Sequence, residues 1–176
     1  MFKAFNDENI SDLFVVDIGY SATNTSCGLL WTGSQEAIET TFADAISHAA
    51  EQLPKLSAPI LVIEAPLSTD HDKNGNPSIR GDFERGRGWY YSAGATTCLA
   101  AMRFLDQLAK MLEKKKCQIE IFIAEAFLSN KDTNTGHGAD AQTIFKKFAT
   151  EKNVELSNGV EPASPHVKGT PPVRKF

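Results

Sequence analysis

The sequence has no long hydrophobic run, since none of its apolar stretches approaches the roughly 18 uninterrupted residues of a membrane span. Its first residues, Met1 to Glu8, also lack the apolar core of a signal peptide. Cysteine is scarce, and Cys27, Cys98 and Cys117 are too widely spaced for a disulfide framework or a CxxC metal knuckle. We therefore expect a cytoplasmic protein with no membrane partner, whose cysteines are small buried packing residues.

Positive charge is in the minority as well, with 18 Lys and Arg against 22 Asp and Glu and a formal net charge of -4. This balance argues against a surface that is basic all over. No Walker-type glycine loop occurs, which excludes a P-loop nucleotide site. A length of 176 residues with 41% hydrophobic side chains is ordinary for one globular domain. We expect that domain over residues 1–157 and an extended, Pro-rich C-terminal tail over 158–176.

Apolar runs and turn residues predict an alternation of strands and helices. Leu13 to Gly19 and Pro59 to Glu64 are nearly continuous apolar runs, typical of strands buried on both faces. A helix between them predicts a crossover, so these two strands are expected to be parallel. The order β-β-β-α-β-α-β-α predicts an α/β fold with a five-stranded mixed sheet flanked by helices. The remaining predicted strands cover 27–31, 37–41 and 118–124, and the helices cover 42–53, about 90–112, and a last one opened by Asp140.

Three acidic residues stand where predicted strands or a helix meet loops: Asp17, Glu64 and Asp140. The carboxyl ends of parallel neighbours lie side by side, so Asp17 and Glu64 would face the crevice where α/β sheets bind ligands. Asp140 could be the third carboxylate at this crevice. Clustered carboxylates repel one another, and hard Mg²⁺ or Mn²⁺ prefers such oxygen ligands. The pattern predicts a metal site suited to two-metal phosphodiester hydrolysis.

Three motifs and the element order, which is that of the ribonuclease H fold, carry a resemblance to a known family. The chain resembles the RuvC-type Holliday-junction resolvases, a branch of the ribonuclease H-like superfamily, over roughly residues 13–150. The motifs are Asp17-Ile-Gly-Tyr-Ser-Ala-Thr23 with Gly28, Ile63-Glu64, and His137-Gly-Ala-Asp140-Ala141.

The resemblance implies a function and a role for each residue. It implies a Mg²⁺- or Mn²⁺-dependent endonuclease that cuts branched or structured nucleic acid, with DNA as the partner and a homodimer as the assembly. Asp17 would contact both metals, Glu64 would bind one and Asp140 the other. His137 would serve as a metal ligand or a proton-transfer group.

The segment Ser68 to Gly88 and the tail lie outside the resemblance. Arginines in this segment could bind phosphates, and the aromatic side chains just after it could stack on an unpaired base. The alternative is a solvated loop whose aromatics pack under the following helix, because Asp82 and Glu84 partly cancel the positive charge. The candidate nucleic-acid-binding residues are Arg80, Arg85, Arg87, Trp89 and Tyr90.

Each candidate site residue also has a structural interpretation. Asp17 could be a hydrogen-bonded turn residue, Glu64 a strand terminator and Asp140 a favourable charge in a first helical turn. Glu125 could be a fourth carboxylate or an exposed residue at a strand end. On these interpretations the chain is a ribonuclease H-like binding or scaffold module. The Asp17 motif also resembles the first phosphate loop of actin-like ATPases, but no second loop of the form Asp-x-Gly follows it.

Overall fold

The structure is a computed structural model that describes residues 12–19, 21, 24–67, 70–78, 92–128, 135–150, 160–162 and 174–175. Strands and helices alternate as the apolar patterns predict. The strands are β1 (Leu13–Ile18), β2 (Cys27–Trp31), β3 (Ile38–Thr40), β4 (Ile60–Glu64), β5 (Asp70–His71), β6 (Pro77–Ser78), β7 (Glu120–Leu128), β8 (Val160–Pro162) and β9 (Arg174–Lys175), and the helices are α1 (Phe42–Gln52), α2 (Ser92–Lys114) and α3 (His137–Thr150).

The main sheet contains the predicted five-stranded mixed core, in the order β3-β2-β1-β4-β7. β1, β2 and β3 form an antiparallel meander, and β4 lies parallel to β1, with β7 parallel to β4. The strands of each parallel pair are connected through a helical crossover, because a parallel pair cannot be joined by a tight turn. The α/β class, the meander and the parallel pairing of the two apolar strands are thereby confirmed.

Helices cover both faces of this sheet, and alternate residues of each strand divide between two hydrophobic clusters. Phe14 and Val16 of β1 join Leu61 and Ile63 of β4 in the cluster that includes α1 and α2. Leu13 and Val15 join Ile60 and Val62 in the cluster that includes Ala141 and Ile144 of α3. The apolar runs therefore reflect strands buried on both faces, as predicted.

Some element boundaries differ from the prediction, and the structure adds a small hairpin. The fifth core strand begins at Glu120 and continues to Leu128, four residues past its predicted end. The long helix runs from Ser92 to Lys114, so both ends lie about two residues later in the chain than the predicted range of 90–112. Within the segment between β4 and α2, residues 70–78 form the small hairpin β5-β6, in which Asp72 accepts backbone hydrogen bonds from Asn74 and Asn76 at 2.8 and 2.9 Å.

The C-terminal tail adds two short strands to the sheet. β8 pairs antiparallel with the carboxyl end of β7, and β9 pairs antiparallel with its amino end. These pairs extend the five-stranded core at β7. Among the described residues, no helix combines the length and the apolarity that crossing a bilayer requires.

Candidate metal centre

Asp17, Glu64 and Asp140 converge at one end of the sheet. Each offers a carboxylate oxygen, and the three oxygens lie within 4.8 Å of one another. Asp17 and Asp140 are 4% and 3% exposed, whereas Glu64 is half-buried. Burying carboxylates together is unfavourable unless charge or hydrogen bonds compensate, so this cluster differs from an ordinary group of surface acids.

The register of β1 and β4 brings two of the carboxylates together. Asp17 pairs directly with Glu64 across the parallel ladder, so both side chains leave the same face of the sheet at the carboxyl end of the strands. Glu64 Oε1 accepts a hydrogen bond from the backbone N–H of Leu128 at 3.2 Å. The carboxylate is thereby oriented by the end of the neighbouring strand β7.

The third carboxylate comes from α3, which packs over β1 and β2. Asp140 lies in the first turn of this helix, as predicted, where the positive end of the helix dipole favours a negative charge. Its Oδ1 atom accepts a hydrogen bond from the hydroxyl of Thr135, just before the helix. The first turn therefore carries Asp140 to the other two carboxylates in a defined orientation.

His137 contacts the cluster through a hydrogen bond with Asp17. Its Nδ1 lies 2.8 Å from Asp17 Oδ2, and its side chain is 38% exposed. When the ring is neutral, a carboxylate at Nδ1 selects the tautomer with the proton on that nitrogen, and Nε2 is then the acceptor. The contact with Asp17 therefore fixes the orientation of the imidazole at the edge of the cluster.

Two glycines of the Asp17 motif permit this close approach. A methyl group at Gly19 would lie 2.8 Å from both Cε1 and Nε2 of His137. A methyl group at Gly28, which pairs with Asp17 on β2, would lie 1.9 Å from the carbonyl oxygen of His137. Only glycine leaves room at these positions, so the motif has a steric basis as well as a chemical one.

Glu125 does not join the cluster. In the ladder it pairs with Ile63, whose side chain faces α1 and α2, whereas Glu64 pairs with Ala126 on the α3 face. Glu125 is fully buried, and its Oε2 accepts a hydrogen bond from the backbone N–H of Leu67. The expectation of a fourth carboxylate is wrong, because the register with β4 turns Glu125 to the opposite face. The expectation of an exposed strand end is wrong as well, because β7 continues past this residue.

Two residues that contact α3 were missed by the sequence analysis. Thr135 hydrogen-bonds Asp140, and Glu39 on β3 accepts a hydrogen bond from the backbone N–H of Gly138 at 2.9 Å. Each is one polar residue in a short polar stretch, without a periodic signal. Only the position of α3 on the sheet gives them a role.

The cysteine nearest the site is a packing residue. Cys27 is fully buried, and burial raises the pKa of its thiol to about 11, with the negative charge of Asp17 adding to the effect. Cys27 therefore stays a neutral thiol near pH 7.

The predicted nucleic-acid-binding residues cannot be placed relative to the site, because Arg80, Arg85, Arg87, Trp89 and Tyr90 lie outside the described residues. Tyr20, Ala22 and Thr23 of the first motif lie outside them as well. The carboxylates, His137 and the two glycines are thus the part of the expected site that the structure assembles.

Comparisons with known proteins add no relative to this picture. No family model matches the chain, and neither a curated protein nor a solved structure shows significant similarity to it.

Proposed function

We propose that this protein is a divalent-metal-dependent endonuclease with a ribonuclease H-like fold, which hydrolyses phosphodiester bonds in branched or structured nucleic acid. The single observation that carries the proposal is the convergence of Asp17, Glu64 and Asp140 within 4.8 Å. The element order around these residues supports the fold assignment. DNA is proposed as the partner because the motifs resemble those of junction resolvases.

The donor set fits Mg²⁺ or Mn²⁺. All three groups are carboxylates, and hard divalent cations prefer oxygen ligands. Asp17 lies between the other two elements, paired with Glu64 in the ladder and under the helix that carries Asp140, so it would help to hold an ion together with either of them. A divalent ion held here supplies an activated water and neutralises charge that develops on the phosphate.

The groups around the carboxylates would orient them, and His137 could accept a proton from the attacking water. Thr135 and the Leu128 backbone each donate to one metal-binding carboxylate, which limits the positions that its oxygens adopt. His137, held at Nδ1 by Asp17, can accept a proton at Nε2 from a nearby water. Its side chain is 38% exposed, so part of the ring reaches solvent.

A cleavage assay with matched variants tests the proposal. Branched, single-stranded and hybrid substrates are incubated with Mg²⁺ and wild-type protein, Asp17→Asn, or Asp106→Asn as a control in which an exposed carboxylate of α2 is neutralised. We expect Asp17→Asn to reduce cleavage to background with the fold intact, and Asp106→Asn to cut normally. Normal cleavage by Asp17→Asn would contradict the site assignment, and no cleavage by the wild type would favour a binding or scaffold module.

A further inference from the structure

Four residues form one row across the sheet on the α3 face. Glu39 of β3 pairs with Gly28 of β2, Gly28 pairs with Asp17 of β1, and Asp17 pairs with Glu64 of β4. Directly paired residues share a face of the sheet, so three carboxylates lie along this row with one glycine gap. Glu39 stands two strands away from Asp17, on the far side of the gap.

The first turn of α3 fills this gap. A methyl group at Gly28 would lie 1.9 Å from the carbonyl oxygen of His137 and 2.7 Å from the backbone nitrogen of Gly138. The helix therefore begins directly over Gly28, between the carboxylate of Glu39 and that of Asp17. Asp140 and His137 reach Asp17 from this turn.

Glu39 holds the other side of the same turn. Its Oε1 accepts the backbone N–H of Gly138 at 2.9 Å, and that donor is one of the N–H groups that a helix start leaves without an intrahelical acceptor. The bond is charge-assisted, and the carboxylate also meets the positive end of the helix dipole. Gly138 lies between His137 and Asp140 in the chain, so a contact at Gly138 constrains both neighbours.

We propose that Glu39 is a positioning residue of the metal site, which fixes the first turn of α3 over Gly28 and thereby sets Asp140 and His137 against Asp17. This inference rests on the proposed function, because the quantity that Glu39 controls is the affinity of the carboxylate cluster for a divalent cation. Glu39 itself is separated from the cluster by the first turn of α3 and is not assigned as a ligand.

Three variants separate positioning from charge. Glu39→Ala removes the acceptor, Glu39→Gln keeps an oxygen acceptor without the charge, and Glu36→Ala removes an equal charge from an exposed residue in the turn before β3. The readouts are the Mn²⁺ dissociation constant by calorimetry and the exchange rate of the Gly138 amide in the metal-free protein. Thermal unfolding of each variant checks that the fold is intact.

We expect Glu39→Ala to weaken Mn²⁺ binding by about tenfold or more, as removal of a residue that orients a ligand does, and to speed Gly138 amide exchange. Glu39→Gln should stay within about threefold of the wild type, because its amide oxygen accepts the same, weaker hydrogen bond. Glu36→Ala should match the wild type in both measurements.

The possible results distinguish this inference from the proposed function. Wild-type affinity and wild-type exchange in Glu39→Ala would overturn the inference alone. So would a Glu39→Gln variant that binds Mn²⁺ as weakly as Glu39→Ala while its Gly138 amide exchanges at the wild-type rate, since that outcome assigns the effect to charge without positioning. A wild-type protein that binds no Mn²⁺ would overturn the proposed function, and the inference with it.

Discussion

The two faces of the central sheet differ at the carboxyl ends of β1 and β4. On the face covered by α1 and α2, the strands end with the buried apolar residues Ile18 and Ile63. On the face covered by α3, the same strand ends carry Asp17 and Glu64, and α3 adds Asp140. The first face also buries Glu125 of β7, whose carboxylate is hydrogen-bonded by the backbone N–H of Leu67, whereas the second brings three carboxylates together. We infer that the first face mainly stabilises the fold, and that the second carries the proposed metal site.

The largest expected effect on stability belongs to the α1/α2 face. Phe104 of α2 is fully buried and meets the ring of Phe42 edge to face, with the centroids 6.0 Å apart. Phe104→Ala should lower the free energy of unfolding by about 3–5 kcal/mol, measured by denaturant titration, because it leaves a cavity. The folded fraction should bind Mn²⁺ as the wild type does.

Leu99 provides the matched control on the same helix. It is 66% exposed, so Leu99→Ala should change the free energy of unfolding by no more than about 0.5 kcal/mol. If folded Phe104→Ala lost Mn²⁺ binding, the two faces would be coupled and the division between them would fail.

A smaller cost in stability but a larger effect on the site is expected at Gly28. Gly28→Ala places a methyl group against the start of α3, which should cost about 1–3 kcal/mol of unfolding free energy and displace the turn that carries Asp140. Mn²⁺ affinity, measured by calorimetry, should fall by at least about tenfold. Wild-type Mn²⁺ affinity in Gly28→Ala would show that the metal site does not require α3 to lie directly against Gly28.

Gly33 is the control for that substitution. It lies between β2 and β3 with φ of +93° and no atom within 4 Å of an added methyl group. Gly33→Ala should cost about 1–2 kcal/mol through backbone strain alone, with Mn²⁺ affinity unchanged.

Asp12, just before β1, is a carboxylate outside the cluster of Asp17, Glu64 and Asp140. Its Oδ2 accepts hydrogen bonds from the hydroxyl and N–H of Ser57 and from the N–H of Ala58, and these donors lower its pKa below 3.8, the Ser57 hydroxyl most strongly. A carboxylate satisfied by protein donors stabilises the fold by itself. Asp12→Ala should therefore lower the free energy of unfolding at pH 7 by about 1 kcal/mol.

The pH dependence of that loss has a defined sign. Because the folded pKa lies below the unfolded value, the contribution of Asp12 is complete above the unfolded pKa and disappears as the pH falls through the folded pKa. Unfolding titrations should show a constant difference between wild type and Asp12→Ala from about pH 5 to 8, which shrinks below about pH 4. A difference that grows towards low pH would contradict this assignment.

Local patterns in the sequence were sufficient to predict the core strands, the helices and the meeting of Asp17 with Glu64. Continuous apolar runs identify strands buried on both faces, and a helical crossover makes two such strands parallel, so carboxylates at their ends become neighbours. The first-turn position of Asp140 follows from the helical period of the residues after it. Each of these inferences uses information within a few residues of the position concerned.

The features that could not be predicted depend on contacts between distant segments. Glu39 contacts the start of α3 only because the register of β3 places it opposite Gly28, and Glu125 faces away from the cluster because the register of β7 pairs it with Ile63. The pairing of β8 and β9 with β7 joins segments of a Pro-rich tail that carries no strand periodicity. Register, strand length and edge pairing are set by tertiary packing, which a single sequence does not encode locally.

The central claim is that Asp17, Glu64 and Asp140 form one divalent-cation site. A calorimetric Mn²⁺ titration of the wild-type protein beside Asp17→Asn and Asp140→Asn tests it without any choice of nucleic acid. We predict micromolar binding by the wild type that disappears in both variants, with thermal unfolding showing that each remains folded. A wild-type protein that binds no Mn²⁺, or variants that bind it as tightly as the wild type, would contradict the claim.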